Sequence, residues 1–138
     1  MSSTSTTFST RPDSLLRRSL TADAVVVTLA GLVLALGAGE LADPLGLSVS
    51  LLRFTGLGLL PYAAALMLIA TRSTISRAAA WTVIALNLLW TVASILLLFT
   101  GWIDPTGLGV AFVLIQALLV LGFADVEYLG LRRASIFR

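Results

Sequence analysis

The chain has 138 residues, 58% of them hydrophobic and 12% charged, with a net charge of +2 and a mean hydropathy of +1.01. A soluble domain carries about 25% charged residues, so this composition excludes a water-covered globule and points to a membrane protein. Cysteine and histidine are both absent, which excludes disulfides, thiol catalysis, iron–sulfur clusters and thiolate zinc, and removes the commonest haem ligand and general base.

The N-terminal stretch MSSTSTTFSTRPDSLLRRSLTAD is Ser/Thr-rich and then basic. It reads as a disordered tail through Thr10 followed by a short interfacial helix from Pro12 to Leu20. There Leu15, Leu16 and Leu20 would face lipid, and Arg17 and Arg18 the head groups. Residues 1–21 form this cytoplasmic segment, 22–131 a transmembrane domain and 132–138 a basic cytoplasmic tail.

A membrane-spanning helix needs about 20 mostly apolar residues. Four stretches qualify, at about 24–41, 51–71, 78–100 and 107–130. The expected fold is therefore all-α: a polytopic membrane protein built as an antiparallel four-transmembrane-helix bundle. All cationic residues are arginines, and they alternate by side. Arg11, Arg17 and Arg18 precede span one, Arg72 and Arg77 separate spans two and three, and Arg132, Arg133 and Arg138 follow span four. The opposite side holds only Arg53, beside Glu40, Asp43 and Asp104. This bias predicts cytoplasmic N- and C-termini. Scattered among the segment ends, the arginines form no basic stripe, so nucleic acid is not an expected partner.

Asp-Pro-x-Gly-Leu occurs twice, in LADPLGL and WIDPTGL, at the two outer hairpin tips. Asp43 and Asp104 are the residue type of a helix N-cap. Pro44 and Pro105 suit a first helical position, and Gly46 and Gly107 permit a turn. Each motif is expected to stop an outgoing helix and start a returning one. The 61-residue offset between them also pairs Thr21 with Thr82 and Arg72 with Arg133. The domain therefore reads either as two tandem helical hairpins or as two tips that converged on the same turn chemistry.

Small residues allow close helix contact in lipid. Gly31, Ala35 and Gly39 recur every four residues on span one. Gly56, Ala63, Ala64 and Ala65 supply small positions on span two, and Gly107, Ala111, Gly122 and Ala124 on span four. Pro61 interrupts the backbone bonding of span two and is expected to bend it. Trp81, Trp102 and Tyr128 read as interfacial belt residues.

Polar side chains at membrane depth are the main functional pointers. Asn87, Trp90, Thr91 and Ser94 share one face of span three. Asn87 lies ten residues past Arg77, and Tyr62 ten residues before Arg72, so a Tyr62–Asn87 hydrogen bond is expected. With Gln116 on span four, these residues give a candidate interior polar site of Tyr62, Asn87, Trp90, Ser94 and Gln116. The competing reading is interhelical bonding that fixes the packing. Asp125 is expected to face the bundle and reach Arg77 at the cytoplasmic mouth, with Glu127 snorkelling to the head groups.

No catalytic pairing, metal-ligand spacing or phosphate loop is present, so neither enzyme nor cofactor is expected. The chain resembles small four-span bacterial membrane proteins, which implies an inner (cell) membrane location. The first functional expectation is a structural or accessory component of a membrane assembly. The alternatives are a small transporter or permeation subunit and a lipid- or isoprenoid-binding protein. Its expected partners are the lipid bilayer and either a second copy, through Gly31/Ala35/Gly39, or a larger membrane complex.

Overall fold

The computed structural model describes residues 14–136. They form four helices: α1 (Ser14–Leu45), α2 (Val49–Thr71), α3 (Arg77–Leu97) and α4 (Gly107–Ile136). All four are long and apolar enough to cross a membrane. The protein is an all-helical membrane bundle, as its composition predicts. The Ser/Thr-rich stretch through Thr10 lies outside the described residues.

The expected interfacial helix is not a separate element. From Ser14 onward it is the first part of α1. At 1.5 Å per residue α1 is about 48 Å long, well beyond the roughly 30 Å hydrocarbon layer. Leu16 and Leu20 face the interior rather than lipid, and are 1% and 0% exposed. Gly130 makes this packing close: a Cβ there would lie 2.6 Å from the Leu16 backbone nitrogen. Arg17 donates to the carbonyls of Ala70, Arg72 and Ser73. It thereby satisfies carbonyl groups that the end of α2 leaves without helical partners. At the other terminus, the expected basic tail continues α4 as helix through Ile136.

The two Asp-Pro-x-Gly-Leu tips differ from the expected cap-and-start pattern. Asp43 and Pro44 do not open α2; they form the last turn of α1. Gly46, with φ +68°, ends that helix. Its N–H donates to Asp43 O and the Leu47 N–H to Ala42 O, the paired bonds of a glycine-terminated helix. Ser48 caps α2, its hydroxyl accepting from the Leu51 N–H at 3.0 Å. At the second tip Asp104 and Pro105 precede the helix, and Thr106 is the cap. The Thr106 hydroxyl accepts from the Gly109 N–H at 3.1 Å. Gly107 is the first residue of α4.

The two motifs meet each other. Thr106 donates through its hydroxyl to Pro44 O at 2.7 Å and through its amide to Leu45 O at 3.1 Å. Gly46 packs on the backbone of Asp104–Thr106, and a Cβ at Gly109 would strike Leu45 O at 2.0 Å. The echo in the sequence thus marks two different turns that dock together.

α1 lies between α2 and α4, and α3 packs along α4; α2 and α3 approach each other only sparsely. The close α1–α2 crossing is at Gly31 and Gly56, where a Cβ on Gly56 would sit 2.5 Å from Ala35 N and 2.7 Å from Gly31 O. Gly31 therefore serves a contact within the chain, while Gly39 has open space beside it. On α2, Ala63 is buried but Ala64 and Ala65 are exposed. On α4, Gly109, Ala117, Ala124 and Gly130 are buried, whereas Gly107 and Gly122 are exposed.

Two apolar cores form at opposite ends of the bundle. The one at the Arg17 end includes Leu16, Leu20, Leu66, Ala70, Val83, Ile84 and Leu131. The one at the Asp104 end includes Leu34, Ala38, Leu45, Leu47 and Leu52. Trp81 and Tyr128 stack obliquely at 5.8 Å near the Arg17 end, with the Arg132 guanidinium 5.9 Å from the Tyr128 ring. This is the aromatic and cationic chemistry of a membrane interface. Between the two cores lie a polar cluster and a cavity.

Candidate functional site

Asn87 is the hub of the cluster. It sits on α3, six residues past Trp81 and ten past Arg77, about 9 and 15 Å further into the span. Its carbonyl oxygen accepts from the Tyr62 hydroxyl of α2 at 2.7 Å. Its amide nitrogen donates to Asp23 Oδ2 of α1 at 3.0 Å and to Glu127 Oε1 of α4 at 2.9 Å. One side chain thus ties all four helices together. The cluster is shielded: Asn87 is 4% exposed, Asp23 2% and Glu127 0%.

The two acids are also close to each other. Both bond the same Asn87 amide nitrogen, which brings their carboxyls side by side. Glu127 Oε2 is buried with no hydrogen-bond donor. Two carboxyls facing each other offer acceptors only, so a proton or another cation is the group that could join them.

A second polar level lies one turn further out. Trp90 donates from its indole N–H to Gln116 Oε1 at 2.7 Å, and the Gln116 amide donates to Val113 O. Thr91 is buried and donates to Asn87 O at 2.9 Å. Ser94 is half-buried a turn beyond Trp90. The five expected interior residues therefore fall into a Tyr62–Asn87 pair, a Trp90–Gln116 pair and Ser94 above them.

The two acids are placed opposite to expectation. Asp125 is exposed and Glu127 is fully buried. Depth counted from Arg132 puts Glu127 at the rim. The hydrogen bond from Asn87 instead places it at the level reached by counting from Arg77, because α4 continues well past its partners. Asp23 falls just before the first apolar run, yet it sits nine residues inside α1. Glu127, not Asp125, therefore faces the bundle, beside Asp23 and Asn87.

Beside the cluster is a cavity of about 520 Å³. Its floor carries Asp23, Tyr62 and Asn87, and Trp90 forms part of one wall. The rest is apolar or small: Val27 from α1, Phe54, Thr55, Gly58 and Leu59 from α2, Leu86, Leu89 and Ala93 from α3, and Val120 from α4. Phe54 and Leu89 are 72% and 63% exposed, so the mouth opens sideways between α2 and α3, toward lipid. Pro61 is part of α2 at this level. It has no amide to donate to the Leu57 carbonyl one turn earlier.

No protein-family model, no curated protein and no solved structure matches this chain. Among the described residues there is also no group of three or more His, Cys, Asp or Glu that could hold a metal ion.

Proposed function

We propose that this protein binds a membrane-dissolved amphiphile, a lipid- or isoprenoid-like molecule, in the cavity between α2 and α3. The observation that supports this reading is the cavity itself: apolar walls, a mouth toward lipid and one polar end. Ligand pockets of this kind are mostly apolar, with a few convergent polar groups that set orientation. An apolar chain would enter sideways from the bilayer and lie between Phe54, Leu59 and Leu89. Its polar end would meet Tyr62, Asn87 and Asp23. Binding needs no bond making, so the reading is of a carrier or receptor rather than an enzyme.

Transport is the second reading, and the buried acids favour it. Ionisable residues inside a membrane bundle are costly and characteristically line substrate or proton paths. In both readings the arginine distribution puts both termini in the cytoplasm, and the resemblance to small four-span bacterial membrane proteins implies the inner membrane. Purification in a mild neutral detergent, followed by mass spectrometry of the extracted small molecules, tests the proposal. A single lipophilic species in a fixed ratio to protein is expected. Bulk lipid in the proportions of the membrane, with nothing enriched, would count against it.

A further inference from the structure

The proposed amphiphile has a polar end of unspecified chemistry, and the floor of the cavity narrows it. Four helices face the floor. Among the described residues, the titratable groups they bring to it are Asp23 from α1, Tyr62 from α2 and Glu127 from α4; α3 contributes the neutral amide of Asn87. The Tyr62 hydroxyl and both Asn87 amide hydrogens are already committed as donors within the cluster. What remains is acceptor capacity: the carboxyl of Asp23, which lines the cavity, and the orphaned Oε2 of Glu127 behind it. Arg17 lies nearly two turns before Asp23 on α1 and is directed to the α2 carbonyls.

A floor with acceptors and no donor to spare suits a ligand that donates. It also suits one that is positively charged, because two carboxylates side by side and away from water repel each other unless a positive charge joins them. Either a proton held between Asp23 and Glu127 or a cationic ligand can supply that charge.

We propose that the amphiphile bound between α2 and α3 carries a cationic amine head, received by Asp23, and that it displaces the proton shared by Asp23 and Glu127. The proposal rests on the cavity reading above and names the ligand class of that site. One alkylammonium enters, one proton leaves to bulk water, and the charge of the site is unchanged. The ammonium group, with three donors, bonds the Asp23 carboxylate freed by the proton's departure. Glu127 stays bonded to Asn87 and supplies the second negative charge beneath it.

Trp90, on the cavity wall, is a built-in reporter. The experiment uses the full chain in neutral detergent with Trp81→Phe and Trp102→Phe, so that Trp90 is the sole indole. It is titrated with a spin-labelled long-chain primary amine and with the matching alcohol, while proton release is followed in weakly buffered solution. The amine is expected to quench Trp90 at a concentration about tenfold or more below the alcohol, the margin of a charge-assisted hydrogen bond over a neutral one. About one proton should leave per amine bound, and none with the alcohol. Asp23→Asn, which keeps an acceptor for Asn87, should bring amine and alcohol to equal affinity and abolish proton release.

Equal affinity of the two probes in the unaltered site, or amine binding without proton release, would overturn the inference and leave the cavity reading standing. Failure of both probes to quench Trp90 would overturn the cavity reading itself. Both decisions come from the unaltered site, so the inference is falsifiable even if the Asp23 variant does not fold.

Discussion

Asn87 and Glu127 are joined by a 2.9 Å hydrogen bond between the third and fourth helices, and the same amide nitrogen reaches Asp23 on the first. This shared donor explains how two acids are tolerated inside the bundle. Asn87→Leu removes the donor from both and the acceptor from Tyr62. Leaving such groups buried and unsatisfied costs on the order of 2–5 kcal/mol. A detergent-denaturation titration should show that loss. An unchanged midpoint would mean that the cluster contributes nothing to the fold.

The contact between the two Asp-Pro-x-Gly-Leu motifs makes a separate prediction. Thr106 caps α4 and also bonds Pro44 O at the end of α1. Thr106→Ala should destabilise by about 1–2 kcal/mol, the range of a lost N-cap, whereas Thr106→Ser should be close to neutral. Asp104→Ala should have little effect, because Asp104 is exposed and Thr106 is the cap. Equal losses for Asp104→Ala and Thr106→Ala would restore the aspartate as the cap.

The glycines divide sharply. At Gly56 and Gly109 an added Cβ meets backbone atoms at 2.5 Å and 2.0 Å, which cannot move aside like a flexible side chain. Overpacking of this kind costs about 1–3 kcal/mol or more. Gly39→Ala and Gly122→Ala meet nothing within 4 Å and should leave the unfolding midpoint unchanged. Comparing the four alanine variants checks which helix faces make the bundle. A loss at Gly39 matching that at Gly56 would indicate a second copy packed on Gly39.

The arginine bias predicts the orientation. Cysteine introduced at the exposed position 43 or 102 should react with an impermeant maleimide from outside the cell, and cysteine at position 74 only after permeabilisation. The reverse pattern would invert the protein in its membrane.

Much of the architecture was legible because lipid imposes it. Four apolar runs of spanning length and one-sided arginines leave few arrangements. The Tyr62–Asn87 bond was legible too, since equal distances from Arg72 and Arg77 put both residues at one level. The depth of Glu127 was not, because counting from the nearest arginine assumes that helices end together. α1 and α4 instead extend past α2 and α3 and pair along the extension. A signal for Glu127 was nevertheless present. Gly109, Val113, Ala117, Ala124, Glu127 and Gly130 follow helical steps of three, four and seven residues, and all are buried. Asp125 falls off that stripe. The turn chemistry misled because Asp-Pro reads the same in a last turn as before a first one. Only the downstream Ser48 and Thr106 distinguish the two.

Gly58 gives the most direct test of the central claim that the cavity between α2 and α3 is a binding site. It lines the cavity, and nothing lies within 4 Å of its absent Cβ. Gly58→Phe should therefore fill the space without disturbing the helices. Native mass spectrometry of the two proteins, purified side by side in mild detergent, decides the matter. A one-to-one small-molecule adduct on the unaltered chain, lost in a folded Gly58→Phe variant, is the predicted result. An adduct that survives the substitution, or none on either protein, would contradict it.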